Sequence, residues 1–248
     1  MGKNMPPDSL YIVMPAYNEQ ENIEAVIRDW YPILEGKSES SKLIVADAGS
    51  TDETHNILLN LQANFPQLEI LDETGKKHGP KVIALYNRAI ELSCQNEGES
   101  YVFQTDSDGQ TTPEEFGWFW KNRGDYDAIF GNRNSRKDGA SRVFVEKVVC
   151  FLLRMYFGVK VPDANAPFRL MKTSTLAKYM PRFEADYDLP NIMVVTFFSY
   201  YNEKIAFKEV SFKPRKAGKN SINILNIVKI GWKALGDFRG FKKSMKVS

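Results

Sequence analysis

The sequence has little of what marks a secreted, metal-finger or membrane-spanning protein. Its 248 residues include only two cysteines and two histidines. Cys94 and Cys150 form neither a CxxC pattern nor a disulfide framework, which favours a reducing compartment. The N-terminus has no apolar signal region, and no stretch reaches the ~20 apolar residues of a spanning helix. The longest candidate, 143–157, is interrupted by three charged residues.

The glycine-rich motifs of two common nucleotide-binding folds are also missing. No GxGxxG follows the first predicted strand, where PAYNE (residues 15–19) stands instead, and this argues against a Rossmann dehydrogenase. Gly75 is followed five places on by Pro80 rather than by a GK pair. P-loop phosphoryl transfer is therefore excluded.

Charge is distributed unevenly along the chain. The formal net charge is +2, but residues 213–248 hold ten Lys and Arg and one acid, a net of +9. The residues before them carry a net of −7. A basic tail on an acidic body indicates an anionic partner, either a phospholipid surface or a nucleic acid, or simply a solvated helix.

Short β-branched runs alternate with amphipathic segments over the first 130 residues. This pattern predicts βαβ units around a mostly parallel sheet, an α/β fold. We expect strands at 10–14, 42–47, 68–71, 101–105 and 128–130, and helices at about 19–34, 52–64, 81–95 and 113–121.

Four predicted strand ends carry polar clusters. They read PAYNE (15–19), DAGSTD (47–52), GKKHGPK (75–81) and DSDGQ (106–110). Ligands of open α/β sheets bind beyond the carboxyl ends of the strands, so these clusters are the candidate site.

DSDGQ has the chemistry of a divalent-cation site. Asp106 and Asp108 are two residues apart in an extended segment, so their carboxylates and the Gln110 carbonyl can converge on one Mg²⁺ or Mn²⁺. A calcium loop would need Gly and Glu where Thr111 and Gly117 stand. The alternative is that Asp and Gly merely form a turn.

PAYNE, DAGSTD and DSDGQ in this order resemble the family 2 glycosyltransferases of GT-A fold. The resemblance covers about residues 10–238. The segments VPDANAPFRLMK (161–172) and FKPRKAGKNSIN (212–223) are most similar to dolichyl-phosphate mannose synthase and bacterial polyprenyl-phosphate glycosyltransferases. The resemblance implies a UDP- or GDP-sugar donor, and a lipid phosphate rather than a nucleic acid as the partner.

The resemblance also implies roles for individual residues. Those expected to bind the donor are Pro15, Ala16, Tyr17, Glu19, Asp47, Lys81, Asp106, Ser107, Arg215 and Ser221. Asp106, Asp108 and Gln110 would hold Mg²⁺ or Mn²⁺. The sequence departs from the family where Ala48 follows Asp47 in place of a second acid, and where the acceptor segment reads DANAPFR.

The acceptor decides which side chains the chemistry needs. A phosphate monoester has its second pKa at about 6 and is already ionised, so it requires cations rather than a base. Arg133 and Arg169 are the candidates, which with Asp108 and Gln110 complete the predicted catalytic set. If the acceptor were a sugar hydroxyl, Asp186 or Asp188 would supply the base. A third alternative is a relative that binds nucleotide or lipid without turnover.

Two regions have the composition of membrane-surface helices. Residues 143–157 fit either a core helix or an interfacial one. Beyond residue 221, one helical face flanked by lysines is formed by Leu225, Val228, Trp232, Leu235 and Phe238. This pattern fits a membrane surface or docking on the sheet. We therefore expect a glycosyltransferase domain over 1–220, a basic amphipathic extension over 221–248, and peripheral attachment to the inner, cytoplasmic face of the cell membrane.

Overall fold

The computed structural model describes residues 7–133, 140–213, 236–243 and 245, and its centre is a seven-stranded sheet. In chain order the strands are β1 (Ser9–Ala16), β2 (Lys42–Asp47), β3 (Leu68–Leu71), β4 (Ser100–Gln104), β5 (Ala128–Asn132), β6 (Arg169–Lys172) and β7 (Ile205–Glu209). Their spatial order is β3-β2-β1-β4-β6-β5-β7. Only β6 runs antiparallel to its neighbours, so the prediction of a mostly parallel α/β sheet is confirmed.

Helices cover both faces of the sheet. They are α1 (Ile23–Trp30), α2 (Thr54–Gln62), α3 (His78–Ser93), α4 (Phe116–Lys121), α5 (Ala140–Phe157), α6 (Thr173–Ala177) and α7 (Pro190–Tyr200). The first helix starts four residues later than predicted, because residues 17–22 form a turn in which Asn18 has a φ of 54°. Helix α3 starts three residues earlier than predicted, so Lys81, the last residue of GKKHGPK, lies in its first turn.

The alternation of side chains along β1 divides the core between the two faces. Tyr11 and Val13 pack with α3 and α7, whereas Leu10, Ile12 and Met14 pack with α1 and α4. Both faces of this strand are covered, and after Ser9 its sequence is a continuous hydrophobic run.

Part of the C-terminal extension packs on the protein. Residues 236–243 are helical, and the Phe238 ring lies 5.6 Å from Phe157 and 6.2 Å from Tyr156, measured between centroids. Phe238 is buried, so of the two alternatives for this residue, the membrane surface and docking on the protein, the structure shows the second. The other members of the predicted face, Leu225, Val228, Trp232 and Leu235, lie outside the described residues. No helix in the described ranges is both long and apolar enough to cross a bilayer.

Candidate active site

A cleft of about 320 Å³ opens at the carboxyl ends of β1 and β4. Three of the four polar strand-end clusters supply its walls. The lining residues are Pro15, Ala16, Tyr17, Glu19, Lys76, His78, Lys81, Asp106, Ser107 and Asp108. Eight of these ten were expected from the sequence to bind the donor or a metal, and the parallel arrangement of the strands brings them together.

The PAYNE turn is fixed to both neighbouring elements through its backbone. The Ser107 hydroxyl donates to the Pro15 carbonyl over 2.8 Å, and the Lys81 ammonium donates to the Ala16 carbonyl. The Lys81 nitrogen also lies 5.2 Å from the centroid of the Tyr17 ring, which is half exposed. These contacts hold an aromatic face and a cation side by side, an arrangement suited to a nucleotide.

The DSDGQ loop is closed by hydrogen bonds within itself. The Thr105 and Thr111 hydroxyls are 2.6 Å apart, and the Gln110 backbone N–H donates to Asp108 Oδ1 over 3.0 Å. Asp106 and Asp108 are partly buried and both line the cleft. Two carboxylates facing one polar cavity fit the oxygen ligands that Mg²⁺ and Mn²⁺ prefer. The described residues contain no group of three or more His, Cys, Asp or Glu that could hold a metal ion.

Gln110, the third expected metal ligand, is hydrogen-bonded to the backbone of Lys213. Its side-chain Nε2 donates to the Lys213 carbonyl over 3.0 Å, and the Lys213 N–H donates to the Gln110 carbonyl over 2.8 Å. Gln110 therefore joins the DSDGQ loop to Lys213, two residues before Arg215. Arg215 and Ser221 themselves lie outside the described residues.

The loop before α3 and the first turn of α3 add cations to the cleft. Lys81 is almost fully buried; burial lowers its pKa, although Asp47 opposes the shift. Lys76 lies across Gly49 of the DAGSTD loop, whose φ is +79°. Lys76 and His78 were not among the predicted site residues, although both belong to the GKKHGPK cluster that marked this loop.

Asp47 lies behind the cleft. Its carboxylate accepts a hydrogen bond from the Ser50 hydroxyl and lies 3.2 Å from His55 Nδ1. With only 2% of its surface exposed, it holds the DAGSTD loop in shape and is not among the lining residues. Its charge still reaches the cleft, because it favours the charged form of Lys81.

Arg133 is held by two carboxylates. Its Nε and one terminal nitrogen donate to Asp163 over 2.7 and 2.9 Å, and the same terminal nitrogen lies 3.3 Å from Glu146. Burial opposes ionisation of Asp163, but the hydrogen bonds and charge of Arg133 outweigh it and hold the pKa of Asp163 well below its usual range. Burial lowers the pKa of Arg133, but the hydrogen bond and charge of Asp163, with the charges of Glu146 and Asp106, raise it overall. Arg133 is not among the residues that line the cleft.

Arg169 does not face an open surface, contrary to what an acceptor contact requires. The side chain is 1% exposed and donates to the carbonyls of Ala166 and Asn191. The hydroxyl of buried Tyr86 contacts both the Asn191 and Gln104 side-chain oxygens, and Gln104 lies two residues before Asp106. The geometry makes Arg169 part of a buried polar network behind the cleft.

The two acids expected to act as bases for a hydroxyl acceptor are separated. Asp186 is exposed in the loop before α7. Asp188 pairs with Lys77 over 3.1 Å beside the first turn of α3. Neither lines the cleft.

Several curated relatives, though not all, are named as sugar transferases of lipid phosphates. The chain is 21% identical, over 93% of its length, to an undecaprenyl-phosphate 4-deoxy-4-formamido-L-arabinose transferase of Shewanella sediminis, 66% of which is covered. It is 26% identical over 44% of its length to a dolichyl-phosphate β-glucosyltransferase of Trichomonas vaginalis, 34% of which is covered. The chain thus spans between about a third and two thirds of these relatives.

Solved structures share the fold. Glucosyl-3-phosphoglycerate synthase from Mycobacterium tuberculosis, crystallised with Mn²⁺, UDP-glucose and glycerol 3-phosphate, superposes with a TM-score of 0.61. The match covers 85% of this chain and 73% of that one at 16% identity. The model of the family described as "Glycosyl transferase family 2" matches residues 11–180, more than half of the chain. The protein therefore belongs to glycosyl transferase family 2.

Proposed function

We propose that this glycosyltransferase moves a sugar from a UDP- or GDP-sugar to a polyprenyl phosphate, with inversion at the anomeric carbon and with a divalent cation. The observation that carries the proposal is the cleft, which is lined by the carboxylates of Asp106 and Asp108 and by the cations Lys76 and Lys81. The names of the relatives support the choice of acceptor.

The donor diphosphate fits between opposite charges. Asp106 and Asp108 would hold Mg²⁺ or Mn²⁺, which when bound neutralises charge on the leaving diphosphate. Lys76 and Lys81 stabilise the same diphosphate from the α3 side. Tyr17 offers an exposed ring at the cleft for the nucleoside.

The reaction requires no protein base. A phosphate oxygen of the acceptor forms a bond to the anomeric carbon while the bond from that carbon to the donor diphosphate breaks, and the electron pair leaves with the diphosphate. No proton moves, because the acceptor phosphate is ionised near neutral pH. A single displacement from the opposite side inverts the anomeric configuration. Asp186 is exposed and Asp188 is paired with Lys77, which favours this reaction over transfer to a hydroxyl that needs a base.

Arg133 is the better placed of the two arginines expected to bind the acceptor. Neither arginine lines the cleft, but the Arg133 side chain keeps 12% exposure, whereas Arg169 is 1% exposed and enclosed by carbonyls. Arg169 instead supports the wall from which the metal loop emerges. We place the enzyme at the cytoplasmic membrane face, where a nucleotide sugar and a lipid phosphate would meet.

The test measures product formation with UDP- and GDP-sugars and undecaprenyl phosphate, with Mn²⁺ or with EDTA. We expect a glycolipid only with the cation, and NMR should show an anomeric configuration opposite to that of the donor. Parallel reactions contain a sugar hydroxyl acceptor or water alone. Transfer to the hydroxyl with none to the lipid phosphate would overturn the acceptor assignment, and full activity in EDTA would overturn the metal assignment.

A further inference from the structure

Helix α5 has two apolar faces, and only one is covered by the described protein. Leu153 and Phe157 are buried on the inner face. On the outer face Val148, Phe151 and Met155 are 39%, 60% and 66% exposed. Their spacing of three and four residues places them in one stripe along the helix.

Cations border this stripe. Lys147 and Arg154 are exposed and seven residues apart, so they lie along the same edge of the helix. Within the described ranges neither forms an ion pair. Aromatic and aliphatic side chains with flanking Lys and Arg are typical of helices that lie in the interface of an anionic bilayer.

The charge pattern argues against a second copy as the partner. A twofold contact centred on Phe151 would bring Lys147 of one chain next to Arg154 of the other, since both lie at similar distances from the centre. Like charges facing each other disfavour such a pairing. An anionic phospholipid surface is complementary to both cations.

The same helix reaches the acceptor side of the active site. Glu146, on the inner face of α5, lies 3.3 Å from the Arg133 guanidinium. A membrane on the outer face would therefore lie one helix diameter from the residue assigned to the acceptor phosphate.

We propose that the outer face of α5, formed by Lys147, Val148, Phe151, Arg154 and Met155, docks on an anionic phospholipid bilayer. This surface would let a polyprenyl phosphate present its head group near Arg133 while its chain remains in the lipid. The inference rests on the proposed function for the identity of the acceptor, but not for binding to vesicles.

Vesicle flotation tests the docking with the full chain. The vesicles contain phosphatidylcholine alone or with phosphatidylglycerol. We expect Phe151→Glu with Met155→Glu to weaken partitioning at least tenfold, because apolar contact is replaced by charge. Lys147→Gln and Arg154→Gln should each weaken binding to the anionic vesicles about fivefold. The matched control is Leu59→Glu, a similarly exposed leucine on α2, which should float like the wild type.

Two results would overturn the proposal. In one, the Phe151 and Met155 variant floats like the wild type, and binding lies elsewhere, for instance in residues 214–235. In the other, that variant changes the oligomeric state measured by light scattering without changing flotation, and a second copy covers the face.

Activity assays separate this inference from the proposed function. The double variant should lose transfer to undecaprenyl phosphate in vesicles but keep transfer to a short, water-soluble prenyl phosphate. If the wild type glycosylates neither acceptor, the proposed function fails, while the flotation result still decides whether α5 binds membranes.

Discussion

Gly79 sets the distance between the active-site end of α3 and the loop before α7. A Cβ at this position would lie 2.2 Å from the Tyr187 carbonyl oxygen and 2.7 Å from Asp188 backbone atoms. Real Cβ contacts are essentially never below 3.0 Å, so Gly79→Ala must separate the two segments by at least 0.8 Å. The first turn of α3, which this separation would displace, contains His78 and Lys81, and both line the cleft.

The expected cost is worked from both effects of the methyl group. Overpacking destabilises by about 1 to 3 kcal/mol, and alanine recovers at most about 1 kcal/mol of helix propensity. Because a misplacement of about 1 Å can cost on the order of 10²-fold in rate, turnover should fall further than stability alone suggests.

Chemical denaturation and steady-state transfer kinetics measure these two effects. The control is Gly117→Ala in α4, where a Cβ would meet nothing within 4 Å. That variant should be neutral or slightly stabilised and fully active. If Gly79→Ala behaves like Gly117→Ala, the close contact at the start of α3 does not position the site.

Three further predictions concern charges. Asp108→Ala should lower turnover at least about 10²-fold and abolish the Mn²⁺-dependent thermal stabilisation by UDP without unfolding the chain; retention of a tenth of the wild-type rate would contradict the metal role. Because the pKa of Lys81 is lowered, the folded chain binds fewer protons than the unfolded chain just below pH 10.5. The free energy of unfolding should therefore rise with pH in this range. Urea titrations should show that Lys81→Met removes the rise. Asp163→Asn should lower the free energy of unfolding by about 3 to 5 kcal/mol, because Arg133 loses its bidentate partner. The wild type should lose stability as pH falls through the lowered pKa of Asp163, and this loss should be smaller in the variant. An unchanged urea midpoint would show that the pair contributes nothing to stability.

Local sequence patterns predicted the strands that form the parallel half of the sheet. The second and third predicted strands match the observed bounds, and the others differ by one or two residues at an end. Strands β6 and β7 were not predicted. Arg169–Lys172 has a charged residue at each end, and it is a strand because β4 and β5 pair with it on both sides. Such pairing joins residues far apart in the chain and leaves no local signal.

The sequence by itself determined the fold class, the family and the polar strand ends that meet at the cleft, because parallel strands necessarily bring their carboxyl ends to one edge. It could not determine how each charge is balanced. Arg133 and Arg169 looked alike as acceptor cations, but Arg133 is held by Asp163 and Glu146, whereas Arg169 is buried among carbonyls. The sequence also did not decide whether residues 143–157 form a core helix or an interfacial one. Burial and ion pairing depend on which elements pack together, and only the tertiary structure decides that.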